Sequence, residues 1–185
     1  MEEKFKKAIM AGIICGIILL ILTLAYIIVE QFIFGSQLQD IAMKYSDSNY
    51  IPPADFSDIF NGAIIGASVS FVVLFALGVL TFFGAGILAT KMASQYIKTR
   101  NDALIIGVVS GATAEIVHRP FTMVITFIAD IVHPSSYYTA DGSTVLQALL
   151  GMGSQLVCCF PFVLIAGIVI AVIGSVLYSM VRLKV

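Results

Sequence analysis

The sequence has few charged side chains, and this scarcity excludes whole classes of protein. Only 11% of the 185 residues are charged, whereas 59% are hydrophobic, and the mean hydropathy is +1.03. This composition lies far outside the range of soluble globular domains. The formal net charge is −1, whereas a nucleic-acid-binding protein needs a basic stripe to neutralise phosphates. We therefore expect no nucleic acid partner, and we expect membrane lipid to surround the chain.

Cysteine is also scarce, which bears on disulfides and metals. Cys15, Cys158 and Cys159 lie inside apolar segments rather than in polar loops, so no disulfide framework is predicted. Their spacing offers no CxxC pair, which disfavours zinc, and we expect small buried hydrophobic side chains. The sequence also lacks a recognisable nucleophile motif or phosphate-binding loop. We therefore expect no cofactor, no metal and no enzymatic activity.

Four long apolar segments dominate what is present. They are residues 8–34, 59–97, 103–132 and 145–183. The polar connections between them are residues 35–58, 98–102 and 133–144. Each apolar segment exceeds the ~20 residues with which a helix crosses a hydrocarbon core. We predict an all-α integral membrane protein, in which residues 1–185 form one domain with four transmembrane helices packed as a bundle.

The distribution of basic residues predicts the orientation of these helices. Eight basic residues lie near one set of segment ends, and Lys44 alone lies near the other set. The eight are Lys4, Lys6, Lys7, Lys91, Lys98, Arg100, Arg182 and Lys184. Basic residues concentrate on the cytoplasmic side of membrane proteins, so we expect a cell-membrane protein with both termini cytoplasmic. All four segments are longer than the bilayer requires, and we expect the surplus to extend past the outer interface.

Two weak internal similarities suggest a repeat. The first and third segments open with small residues four apart, namely Ala8, Gly12, Gly16 and Ala103, Gly107, Gly111. Residues 55–62 and 141–148 share a second pattern at the start of the second and fourth segments. Duplication would make the chain two parallel helical hairpins related by an axis along the membrane normal. Convergence is the alternative, because small-residue spacing recurs in many unrelated membrane helices.

Glycines at helical spacing predict how the helices associate. The candidate packing residues are Gly12, Gly16, Gly62, Gly66, Gly107, Gly111, Gly167 and Gly174. A helix in lipid gains no hydrophobic free energy by leaving the lipid for another helix. Close backbone contact must therefore supply the attraction between membrane helices. The bundle would use some of these faces, and the remainder would bind a second copy or another membrane subunit. Our leading hypothesis from the sequence is therefore a non-catalytic subunit of a homo-oligomer or a larger membrane complex.

The third segment carries the main candidate for chemistry. Its stretch GATAEIVHRPF places Glu115, His118 and Arg119 in apolar sequence ahead of Pro120. Ionisable groups deep in a bilayer cost from about 3 to above 10 kcal/mol, so they rarely persist without a partner or a purpose. By the helical rise, Glu115 lies ~18 Å from the start of the span at Ala103. We expect Pro120 to kink the helix and free a carbonyl near the pair.

The charged residues share a face with the glycines. Gly107, Gly111, Glu115 and Arg119 are four apart, so they form one stripe pointing into the bundle or an oligomer interface. One interpretation is an ion pair between Glu115 and Arg119, aided by His118, that fixes helix register. The other is a transporter or channel for protons, small ions or solutes, with Glu115 as the site, His118 as relay and Arg119 as counter-charge.

Overall fold

Four long helices make up the part of the chain that the structure describes. This is a computed structural model, and it describes residues 2–29, 56–132 and 160–184. The helices are α1 (Glu3–Val29), α2 (Phe56–Met92), α3 (Arg100–Val132) and α4 (Phe160–Tyr178). A short 3₁₀ turn (Ser94–Tyr96) follows α2, and a π-helical turn (Ser179–Leu183) continues α4. The prediction of an all-helical chain is thus confirmed for the described residues.

The helices fall on the four predicted apolar segments, with differences at their ends. α1 begins at Glu3 rather than residue 8, and α3 begins at Arg100, inside the predicted inner loop 98–102. α2 begins at Phe56, inside the predicted outer loop 35–58. The remaining parts of the predicted outer loops, 35–55 and 133–144, lie outside the described residues, as do 30–34 and 145–159 of the first and fourth segments.

A capping box explains why α3 begins before the apolar run. The Asp102 amide donates to Thr99 Oγ1 at 3.2 Å, and the Thr99 amide donates to Asp102 Oδ2 at 3.1 Å. This reciprocal pair satisfies amides that the first turn of a helix leaves free. Lys4 Nζ of α1 donates to the other oxygen, Asp102 Oδ1, at 3.1 Å. Asp102 therefore caps α3 and ties it to the start of α1.

Side-chain contacts fix the relative directions of the helices. Lys4 meets Asp102 at one end and Thr23 meets His118 further along, so α1 and α3 run parallel. Ser175 of α4 donates to the Ala103 carbonyl at the start of α3, at 2.5 Å. Because Ser175 is near the end of α4, that helix runs antiparallel to α3.

A buried polar contact joins α2 to Ser175, the residue through which α4 contacts the start of α3. Thr90 Oγ1 lies 2.6 Å from Ser175 Oγ, and both side chains are fully buried. Thr90 lies near the end of α2, so α2 is parallel to α4. Buried hydroxyls of this kind need partners, and these two link α2, α3 and α4 at one place.

Close approaches between helices depend on glycine. A Cβ at Gly12 would lie 2.6 Å from the Ser110 carbonyl oxygen, and one at Gly111 would lie 2.9 Å from Ile168 Cα. Neither contact leaves room for a side chain, so α3 approaches both α1 and α4 through glycine. Other predicted packing glycines also face neighbouring helices, namely Gly16, Gly107, Gly167 and Gly174. The packing surroundings of Gly62 and Gly66 lie outside the described part of the structure.

Three helical stretches are long and apolar enough to cross a membrane, where the sequence predicted four spans. They are Glu3–Val29, Ser68–Met92 and Phe160–Leu183, among the residues described. α3 is not one of them, although it has 33 residues. Its charged and polar side chains, above all Glu115, His118 and Arg119, lower its apolar character. Three of the four predicted spans therefore contain a helix that is long and apolar enough to cross a membrane.

The contact between Asp102 and Lys4 predicts a dependence of stability on pH. The hydrogen bonds from Lys4 and Thr99 lower the Asp102 pKa from its ordinary 3.8 to about 2. A lowered folded-state pKa contributes stability that is complete above the unfolded pKa and is lost as pH falls through the folded pKa. We expect the unfolding temperature in detergent to fall between about pH 4 and pH 2, and Asp102→Asn to flatten that dependence.

Glu2→Gln is the matched control for this measurement. The Glu2 carboxylate also contacts Lys4, at 3.3 Å, but its side chain is 68% exposed. Exposed ion pairs contribute little to stability, so this variant should retain the wild-type pH dependence. An Asp102→Asn protein with an unchanged pH dependence would contradict the role assigned to the cap.

Candidate functional site

The three ionisable residues predicted from the sequence lie together on one face of α3. Glu115 is completely buried, and Arg119 Nε donates to its Oε1 at 2.8 Å. One turn separates the two residues, which is the spacing at which side chains on a helix meet. The Arg119 side chain is 22% exposed. The geometry is therefore that of a charge-assisted hydrogen bond with one fully buried partner.

His118 connects this pair to α1. Its Nε2 lies 3.0 Å from Thr23 Oγ1, within hydrogen-bond distance. Its Nδ1 lies 3.6 Å from Glu115 Oε2, which is too long for a hydrogen bond. Glu115 Oε2 and His118 Nδ1 are both buried, and neither has a hydrogen-bond partner among the residues described. Unpaired buried polar atoms are costly and rare, so these two atoms need an explanation.

A cavity of about 270 Å³ has Glu115, His118 and Arg119 among its lining residues. It lies between all four helices and is partly open to the surface of the described structure. Its polar lining comes from Thr23, Glu115, His118 and Arg119, and the other lining residues are apolar. Those residues are Leu19, Leu22, Phe71, Leu74, Phe75, Gly78, Val79, Phe82, Val163, Ala166, Gly167 and Ile170. The site is thus an apolar cavity with one polar end, a form typical of small-molecule sites.

Small residues and aromatic rings shape the cavity. A Cβ at Gly78 would meet nothing within 4 Å, so the missing side chain contributes open space. Opposite it, Gly167 packs against the Phe82 ring, where a Cβ would lie 2.8 Å from Cε1. Phe71 and Phe75 stack with their centroids 6.4 Å apart and are 59% and 66% exposed. Because they are both exposed and part of the lining, they form the rim of the cavity.

Pro120 lies directly after the ionisable residues, and α3 continues through it to Val132. Proline has no amide hydrogen, so the Ile116 carbonyl four residues earlier loses its usual helical donor. The Thr122 hydroxyl donates to the Arg119 carbonyl at 2.9 Å. Side chains of this kind satisfy backbone groups around a proline in an apolar helix. The kink expected from the sequence stays a prediction.

The structure places the predicted residues in two groups. Glu115, His118 and Arg119 form the site, whereas the described packing glycines lie at helix contacts, with Gly167 also lining the cavity. Sequence reasoning missed the roles of Thr23 and of the aromatic rim. The proposed repeat aligns Thr23 with His118, and that correspondence was the available signal for their contact. Phe71 and Phe75 lie in uniformly apolar sequence, which carries no signal for a cavity.

Metal binding was the weakest chemical interpretation of this region. Glu115 and His118 supply two ligand types on one turn of α3. Among the described residues, no three His, Cys, Asp or Glu side chains form a group that could hold a metal ion. Arg119 also occupies one carboxylate oxygen of Glu115.

Comparison with known proteins finds no matching family model, no match among curated proteins and no match among solved structures.

The buried pair predicts a specific pattern of stability among variants. Glu115→Leu and Arg119→Leu should each destabilise the fold by about 3–5 kcal/mol, because each leaves one charge unpaired. The double replacement should recover most of the loss, since two apolar side chains then fill the same space. The free energy of unfolding of the four proteins, measured in mixed micelles, gives the coupling directly.

Ile116→Leu controls for replacement on the same turn of α3, because Ile116 is 60% exposed and makes no polar contact by its side chain. It should leave the unfolding free energy near that of the wild type. If both single replacements of the pair are as harmless as this control, the two charges are solvated and the pair does not constrain α3.

Proposed function

We propose that the chain is a membrane protein that crosses the bilayer four times, α3 included. The burial pattern supports this, because the buried side chains of the described part are mostly alanine and small polar residues, while many large apolar side chains face outward. On α3 the outward side chains are Leu104, Ile105, Val108, Ile116, Phe121, Val124 and Ile128. A helix with charges turned inward and apolar side chains turned outward suits lipid surroundings despite its polar residues.

We propose that both termini are cytoplasmic. Ala8, Ala93, Ile97 and Ala103 form one buried cluster, and Leu183 packs against it. These residues adjoin the basic ends of the helices, so the basic residues of the described part, apart from Arg119, are gathered at one end of the packed helices. The concentration of positive charge on the cytoplasmic side of membrane proteins supports this orientation.

The function that the geometry supports best is that of a transporter or channel centred on Glu115. One observation carries it: a fully buried carboxylate lines a partly open cavity among helices that are otherwise apolar. Ionisable residues inside membrane helices usually mark a path for a solute, an ion or a proton. The Arg119 side chain, which also lines the cavity, is 22% exposed, so the ion pair is not enclosed by protein on all sides.

Assembly with other subunits, the leading hypothesis from the sequence, is our second proposal. Six of the packing glycines contact other helices of the same chain: Gly12, Gly16, Gly107, Gly111, Gly167 and Gly174. Their spacing therefore has an explanation within one copy. Gly84 has open space beside it and could face a partner. Native mass spectrometry in mild detergent tests this, and a monomer without a co-purifying protein would contradict it.

Flux measurements on reconstituted protein test the transport proposal. Vesicles containing a pH-sensitive dye report proton movement, and light scattering reports glycerol and similar small solutes. We expect the wild type to exceed protein-free vesicles for at least one of these probes. Glu115→Gln should return that flux to background, because it removes the charge while keeping the side-chain shape.

A pair of glycine variants separates the cavity from general damage. Gly78→Leu places a side chain in the cavity and should also abolish the flux. Gly84→Leu is the matched control, because Gly84 lies on the same helix, has no neighbour within 4 Å and does not line the cavity. A wild-type protein with no flux for any probe, or equal loss in both glycine variants, would contradict the proposal.

A further inference from the structure

Arg119 is the residue whose polar groups remain available in the Glu115 cavity. Its guanidinium carries five N–H donors, and Nε uses one of them on Glu115 Oε1. The two Nη groups have no hydrogen-bond partner among the described residues, and neither is among the buried unpaired atoms of that part of the chain. Both Nη groups therefore keep accessible surface, on a side chain that lines the cavity.

The other polar side chains of the cavity are paired or closed off. Thr23 Oγ1 and His118 Nε2 lie 3.0 Å apart and bind each other. The Glu115 side chain is fully buried, and its Oε2 and the Nδ1 of His118 are buried out of reach of a ligand. What the cavity offers to a ligand is therefore a set of N–H donors on a positively charged group.

Unpaired donors on a cation select an anionic acceptor. An ammonium brings only donors and is repelled by the guanidinium charge. A neutral hydroxyl or ester oxygen accepts a hydrogen bond but gains no attraction between charges. A carboxylate accepts from both Nη groups at once, in the planar bidentate geometry that suits arginine. Because Glu115 is bonded at Nε, that carboxylate lies nearer to the guanidinium charge than to the Glu115 charge, and a net attraction remains.

Arg119 lies at the level of the aromatic rim. One α4 hydroxyl contacts both Thr90 of α2 and the Ala103 carbonyl of α3, so these two residues mark a common level. By the helical rise, Arg119 lies ~24 Å from that level, between Phe75 at ~22 Å and Phe71 at ~28 Å. A hydrocarbon core is about 30 Å thick. Four spans that begin at the cytoplasmic end thus place Arg119 and the rim near the outer boundary of the core.

The rest of the cavity extends from Arg119 toward the cytoplasmic end. Ile170 of α4, another lining residue, lies only ~8 Å from the same level by the helical rise. The walls between them are apolar, so a polar group there would lose its hydration without gaining a partner. An amphiphile of the outer leaflet has its head group at the boundary and its chain directed inward, which is the arrangement of this cavity.

We propose that the cavity binds a fatty acid carboxylate from the outer leaflet, with the carboxylate on the Arg119 Nη groups and the chain along the apolar walls of α2 and α4. This inference rests on the proposed four spans and gives the proposed Glu115 site its class of solute. An engineered apolar cavity of about 150 Å³ accepts benzene, so one of about 270 Å³ accommodates roughly ten non-hydrogen atoms. That volume fits one chain and not the two chains of a phospholipid.

Photolabelling in phosphatidylcholine vesicles at mildly alkaline pH tests this. The probe is decanoate with a diazirine at the chain end, compared with methyl decanoate, decylamine and decyl phosphate probes that carry the same diazirine. Adducts are mapped by mass spectrometry at the lining residues Val79 and Ile170 and at outward-facing Ile116, which reports partitioning into lipid. We expect the cavity-to-lipid adduct ratio of decanoate to exceed that of the ester by about tenfold, the effect of one hydrogen bond to a charged group.

Variants assign that preference to the guanidinium. Replacing Glu115 and Arg119 together by glutamine removes both charges without stranding either one. This double variant should lose the preference for the acid over the ester, while ester labelling persists and shows that the cavity is intact. Glu115→Gln alone should increase the preference, because it removes the opposing charge. Gly78→Leu should abolish all cavity adducts, whereas Gly84→Leu should leave them unchanged, because only Gly78 lines the cavity.

Several results would overturn the inference. Equal cavity labelling by acid and ester, or a preference that survives in the double variant, would show that Arg119 does not recognise the carboxylate. Stronger labelling by decylamine, or loss of the preference in Glu115→Gln, would assign the contact to the Glu115 carboxylate. Stronger labelling by decyl phosphate would assign the site to a phosphate head group, and the absence of cavity adducts from every probe would exclude a bound chain.

The outcomes also separate this ligand from the transport proposal. If Glu115→Gln abolishes flux but decanoate shows no preference for the cavity, the transport proposal stands and this ligand is wrong. If decanoate labels the cavity of a protein without flux, the binding site stands and the transport proposal fails.

Discussion

The ion pair between Glu115 and Arg119 determines which face of α3 meets the other described helices. Glu115 is fully buried and Arg119 is its charged partner at 2.8 Å. A buried charge left unpaired would cost several kcal/mol, so α3 must turn this face toward the other helices. Its opposite face then meets the surroundings, and side chains such as Ile116 and Phe121 make that face apolar. A helix that is less apolar than the other three thereby acquires an apolar exterior.

The pair also accounts for a difference between the two ends of the packed helices. Near the basic end the interior is filled by alanines, including Ala8, Ala93 and Ala103, and by glycine contacts that leave no room for a Cβ. Around Glu115, in contrast, a small residue opens space instead of allowing close packing. Gly78 leaves a volume that nothing in the described structure fills. Tight packing at one end holds the helices together, while the other end keeps a cavity that is lined in part by the ion pair.

Sequence patterns predicted the helices and the helix face that carries the charges. Long apolar runs and a spacing of four residues depend on local helix geometry alone. Lateral contacts were harder to predict. A glycine spacing of four suits a helix of the same chain as well as one of a second copy, so the sequence could not assign Gly12 or Gly111 to internal contacts. At the depth of Glu115 the sequence offers the small residues Gly78, Gly167 and Ala171, which leave room, but the volume of the cavity and its aromatic rim depend on contacts between helices that no local pattern records. The capping role of Asp102 was missed, although Thr99 and Asp102 have the spacing of a capping box ahead of an apolar run.

The most direct test of this account is solid-state NMR of the protein in lipid bilayers, with isotopic labels in Glu115, His118 and Arg119. The account predicts an ionised Glu115 carboxyl in close contact with Arg119 Nε. The carboxyl carbon shift reports the ionisation, and the carbon-to-nitrogen distance reports the contact. A protonated Glu115 carboxyl, or an Arg119 side chain located away from it among the lipid headgroups, would contradict the central claim.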